Sequence, residues 1–192
     1  MAEFRDSVEI EAPPQVVFDH LTTNEGMTAW MGQYADLDPV PGGRFAVDIA
    51  GYPVRGEYLV VEPFRRVMVS WGLVGSEELP AGASRVEFLL TPIAGGTRVD
   101  LHHVDLPEPE VRGHEYGWAH FMPRLAIAGA GGDAGADSLP PRLPVADCRR
   151  RRGRRTGPLA APDRLIADGR RSRGSNDTRA AQPCATGPRP CG

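Results

Sequence analysis

Apolar and polar positions alternate from the start of the chain. Phe4, Val8, Ile10 and Ala12 fall on one side of an extended segment, with Arg5, Glu9 and Glu11 on the other. This period-two pattern predicts a half-buried first strand. Pro13-Pro14 stops it, and proline is well accommodated at a first helical position. Val16, Val17, Phe18 and Leu21 then form a short helical face. Thr23 and Asn24 are candidate caps for a second short helix over 25–31, which carries Met27, Trp30 and Met31.

From residue 40 the pattern becomes that of a β-meander. Phe45, Val47 and Ile49 alternate after the turn Pro41-Gly42-Gly43, and Ala50-Gly51 leads into a strand over 52–62 in which Gly56 predicts a bulge. Val67, Val69 and Trp71 define the next inward face, then Val86, Phe88 and Leu90. Gly95-Gly96 predicts a hairpin into Val99, Leu101 and His103. Val111, Trp118, Phe121, Met122, Leu125 and Ala128 recur with helical period, and Pro123 removes one backbone bond or kinks that helix. The predicted order is β-α-α-β-β-β-β-β-α. It describes an α+β domain in which six antiparallel strands form a curved sheet that grips a long closing helix.

Charge divides the chain. Its net charge of −3 averages an acidic body and a basic end, and every one of the 22 basic residues is arginine. Residues 1–137 carry nine arginines against 21 acids, whereas 138–192 carry 13 against four. All aromatic residues and histidines precede position 138, and Cys148, Cys184 and Cys191 follow it. Only six Leu, Ile, Val, Phe or Met side chains lie in 139–192, too few to bury a core. The expected organisation is a globular domain over 1–137 and a disordered Arg/Pro/Gly-rich tail over 138–192. The lysine-free tail reads as a frameshifted or read-through extension.

No apolar run approaches the roughly 18 residues of a membrane span, and the N-terminus lacks a signal-peptide pattern. A cysteine-free body fits a reducing compartment, so a cytoplasmic location is expected. The Arg149–Arg152 run invites phosphate contacts. Without interleaved aromatic residues, and beside an acidic body, it does not make nucleic acid the expected partner.

The motifs Pro41-Gly42-Gly43-Arg44-Phe45, Arg55-Gly56-Glu57-Tyr58, Val61-Glu62-Pro63, Arg66-Val67, Ser70-Trp71-Gly72, Gly95-Gly96-Thr97-Arg98-Val99 and His114 followed by Gly117-Trp118 occur in this order. Together they resemble the START-like SRPBCC superfamily, in the branch of the heat-shock protein 90 ATPase activator C-terminal domain. Members commonly stop soon after a segment like Gly131-Gly132-Asp133-Ala134-Gly135. The resemblance implies a START-like, Bet v-like helix-grip fold with a largely apolar cavity that takes lipids, hormones, polyketides or other hydrophobic molecules.

Trp30, Met31, Phe45, Trp71, Phe88, Trp118, Phe121 and Met122 are candidates to line such a cavity, though aromatic residues at these spacings also build ordinary cores. Tyr58, His103, Glu57 and His120 are the polar candidates. Tyr58 and Glu57 alternate, so one of them points inward. His103 shares its strand face with Val99 and Leu101, either as a hydrogen-bonded core residue or as a ligand-orienting or acid/base group. No histidine set has metal-ligand spacing, there is no nucleophile elbow, and the paired glycines lack a P-loop lysine. No catalytic set, metal or cofactor is therefore expected. The leading expectation is a binding domain for a small hydrophobic molecule. The rivals are a polyketide cyclase-like enzyme that uses His103 or Glu57, and an activator that meets a chaperone by surface contact. The eukaryotic activators carry an additional N-terminal chaperone-binding domain, which weighs against the last.

Overall fold

A computed structural model describes residues 2–140, so the expectations for the tail beyond them lie outside the described residues. The elements run β1 (Ala2–Ile10), α1 (Pro14–Thr22), α2 (Asn24–Thr28), β2 (Tyr34–Leu37), β3 (Arg44–Ile49), β4 (Tyr52–Glu62), β5 (Arg66–Trp71), β6 (Ser84–Ile93) and β7 (Gly96–Leu106). A 3₁₀ turn, Glu108–Glu110, then leads into α3 (Val111–Gly129). The sheet order is β1-β7-β6-β5-β4-β3-β2, with every pair antiparallel.

The sheet therefore has seven strands rather than six. The additional strand, β2, is four residues long and pairs Ala35 with Val47 and Leu37 with Phe45. Its sequence, Tyr-Ala-Asp-Leu, is too short for period-two alternation to mark it, and pairing to β3 holds it extended. The bulge also sits elsewhere. Gly56 is in register opposite Phe45, and the shift falls between Tyr58 and Val60. Gly56 answers a different need: a Cβ there would lie 1.8 Å from the Ser70 carbonyl oxygen.

Local chemistry explains the boundaries. Thr23 caps α2 by accepting from the Gly26 amide at 3.0 Å while its hydroxyl donates to the Asp19 carbonyl. The helix α3 continues through Pro123 and ends in a Schellman motif. There Gly131 has φ 82°, its amide meets the Ala128 carbonyl at 2.9 Å, and the Gly132 amide meets that of Ile127 at 2.8 Å.

The inward-facing side chains expected on β3, β5, β6 and β7 are all buried and meet Trp30, Trp118, Phe121 and Leu125 in one core. One turn is mismatched to its residue. The β3–β4 hairpin places Ala50 at φ 46° and Gly51 at φ 83°, the type I′ geometry that favours Asn-Gly. Replacing Ala50 by Asn is expected to raise stability by about 0.5–1 kcal/mol, read as a higher urea midpoint at unchanged m-value. A lower midpoint would contradict the turn assignment.

Candidate functional site

Beneath the N-terminal half of α3 the structure leaves a cavity of about 220 Å³. The ends of β3, β4 and β5 supply Ile49, Val54 and Trp71, and α3 supplies Gly113, His114, Gly117, Trp118 and Phe121. Met31, Leu73, Leu139 and Pro140 complete the apolar wall, with Tyr52, Tyr116 and Glu110 adding polar atoms.

Of the residues expected from sequence, Met31, Trp71, Trp118 and Phe121 border this space. Trp30, Phe45, Tyr58, Phe88, His103 and Met122 are buried behind it. Trp30 sits edge-on to Phe88 and Phe121, each with centroids 6.4 Å away, and donates from Nε1 to the His20 carbonyl. Phe45 packs between Tyr58 and Trp71. The open choice on β4 resolves by strand parity: Tyr58 points inward and Glu57 is exposed. The Tyr58 hydroxyl donates to the Leu21 carbonyl at 2.8 Å, and burial raises its pKa, so it acts as a neutral structural donor.

His103 is fully buried with both ring nitrogens engaged. Trp118 Nε1 can only donate, and it meets His103 Nδ1 at 3.0 Å. The proton therefore belongs on Nε2, which donates to Ser84 Oγ at 2.9 Å, and that hydroxyl in turn donates to the Trp71 carbonyl at 3.0 Å. Burial, with minor help from His114 and His102, pushes His103 down to about 3.

His114 forms a parallel arrangement. Trp71 Nε1 donates to its Nε2 at 3.3 Å, and Nδ1 donates to the Glu110 carbonyl at 2.8 Å. Burial lowers its pKa, partly opposed by the bond and charge of Glu110. The two imidazoles lie 5.0 Å apart, both neutral, each tautomer set by an indole. His120 lies elsewhere, paired to Asp137 at 2.9 Å.

After α3 the chain folds back. Gly135 closes an Asx turn on Asp133, and Arg124 gathers the carbonyls that follow. Its Nη1 reaches Ala134 at 2.9 Å and Ala136 at 3.3 Å, Nη2 reaches Gly135 at 2.9 Å, and Nε reaches Trp30 at 3.0 Å. This clasp brings Leu139 and Pro140 to the cavity wall. Sequence reading passed over Arg124, His114, Glu110, Gly113 and Gly117 as cavity or clasp residues. The two glycines did carry a signal, since they stand four apart inside a helical pattern with no cap to explain them.

Among the described residues no helix is long and apolar enough to cross a membrane, and no three His, Cys, Asp or Glu side chains converge as metal ligands would.

An antiparallel sheet that holds a C-terminal helix over an apolar cavity defines a helix-grip α+β domain. The chain belongs to the Activator of Hsp90 ATPase homolog 1-like protein family, whose model matches residues 11–128. It is similar to an AHSA1-like protein of Rhizobium etli, with 40% identity over 74% of this chain and 90% of that one and a TM-score of 0.59. It also resembles DynU16, a protein of the dynemicin biosynthetic locus, with 25% identity over 70% of this chain and 50% of that one at TM-score 0.60. An HSP90 activator from Plasmodium falciparum shares the fold at 19% identity, covering 67% of this chain and 96% of that one at TM-score 0.57. No curated protein matches in sequence.

Proposed function

We propose that the chain binds a small hydrophobic molecule in the cavity between α3 and the sheet, against walls formed by Met31, Trp71, Trp118 and Phe121. Trp30, Phe45, Tyr58, Phe88, His103 and Met122 hold those walls in place rather than touching the ligand.

One observation carries this reading. Gly113 and Gly117 both line the mouth of the cavity on α3, Gly113 exposed and Gly117 half-buried, and a Cβ on either would meet no atom within 4 Å. A glycine inside a helix costs about 1 kcal/mol relative to alanine. A glycine required by close packing would have a neighbour at that point, as Gly129 has Ile10 at 2.8 Å. With no side chain at either position, this turn of α3 leaves the mouth of the cavity open.

Gly113→Ala and Gly117→Ala are each expected to raise Tm by about 2–4 °C. Gly117→Leu is expected to fill the cavity and abolish binding of 2-naphthol by calorimetry while the protein stays folded. Undiminished 2-naphthol binding by folded Gly117→Leu would sink the reading.

The cyclase-like alternative rested on His103 or Glu57, and neither borders the cavity. The activator-like alternative rests on the family description and on likeness of fold; no surface feature among the described residues adds to it.

A further inference from the structure

We propose that this cavity selects protonated arylalkylamines of one or two rings over the matching carboxylates, with Glu110 as the charge-selecting residue. The proposal deepens the binding reading above and rests on it.

Size comes first. An apolar cavity of about 150 Å³ holds a benzene molecule, so the 220 Å³ here suits one or two fused rings. Trp71, Trp118, Phe121 and Tyr52 put aromatic rings on the lining, and the face of such a ring attracts a cation as well as packing against a flat hydrocarbon.

Charge comes next. Among the described residues Glu110 is the single acidic residue on the lining, and no arginine borders it. Among the described residues its one ion-pair contact is His114 Nδ1, 3.8 Å from Oε2. That nitrogen donates to the Glu110 backbone carbonyl, and Trp71 donates to the opposite ring nitrogen, so the imidazole is uncharged. Glu110 therefore lines the cavity with no cation among the described residues paired to its carboxylate.

Its position just ahead of α3 also suits the helix dipole. That dipole supplies only about half a positive charge, so the end of the cavity stays net negative. A carboxylated ligand would meet repulsion there with no basic group among the described lining residues to offset it, whereas an ammonium group would meet attraction.

Three isosteric probes test this on the full chain by calorimetry at pH 7.5: 2-(1-naphthyl)ethylamine, 2-(1-naphthyl)ethanol and 1-naphthaleneacetate. The amine is expected to bind about five- to tenfold more tightly than the alcohol, and the carboxylate more weakly than both. Glu110→Gln should bring amine and alcohol to parity, with Glu110→Asp restoring part of the preference should the glutamine variant unfold. Equal affinities, or a preference for the carboxylate, would overturn the selection while leaving the cavity reading intact. Failure of all three to bind would overturn both. Persistence of the amine preference in folded Glu110→Gln would remove Glu110 from the role.

Discussion

Lowering the pH from 7 to 4 is expected to cost this protein roughly 3 kcal/mol through His103 alone, at about 1.4 kcal/mol per unit. Unfolded, the imidazole takes a proton near its ordinary value of 6.5; folded, it refuses one until about 3. Between those values the unfolded chain binds more protons, so stability rises with pH. The contribution is complete above about 6.5, falls as pH drops, and levels off near 3. His114, also depressed by burial, acts in the same direction. His103→Gln separates this from the general acid response, because its amide can still accept from Trp118 and donate to Ser84 without titrating. Urea midpoints at pH 7, 5.5 and 4 should converge between wild type and variant as pH falls. Parallel pH profiles would show that His103 does not control the acid loss.

Removing the Arg124 guanidinium is expected to be comparably damaging. One planar group holds four carbonyl oxygens from two separate segments, the exit of α2 at Trp30 and the fold-back at 134–136. Hydrogen bonds to a charged donor contribute about 1.5–3 kcal/mol each and are not additive. Arg124→Ala should therefore cost about 3–4 kcal/mol. Arg124→Lys should cost about 2 kcal/mol, because an ammonium cannot present donors along both edges of a fork. Hydrogen exchange supplies the local readout: protection of the Gly135 and Leu139 amides should fall in both variants while that of β6 persists in Arg124→Lys. A lysine variant as stable and protected as wild type would reduce the clasp to simple charge.

These two groups show where the sequence is legible and where it is not. His103 shares strand parity with Val99 and Leu101, so its inward direction follows from period two alone. Its partner Trp118 lies 15 positions on, in a different element, and that meeting depends on how α3 crosses the sheet. The same limit separates cavity from core. Trp71 and Phe45 both face inward, yet only Trp71 borders the empty space, because alternation gives a direction and not a depth. Arg124 carries no signature, since its acceptors are backbone carbonyls that every residue possesses. β2 is hidden for a related reason: Tyr34–Leu37 becomes a strand through what β3 offers it.

The pairing of β1 with β7 has a consequence in time. Val8 lies opposite Val99, about 90 residues later, and at synthesis rates of ~5–20 residues per second that interval is several seconds or more. Until β7 emerges, the first strand has no partner, and an alternating apolar edge is left to whatever it meets. Contacts this distant in sequence also slow folding once the chain is complete. The strand made first is thus among the last to be secured.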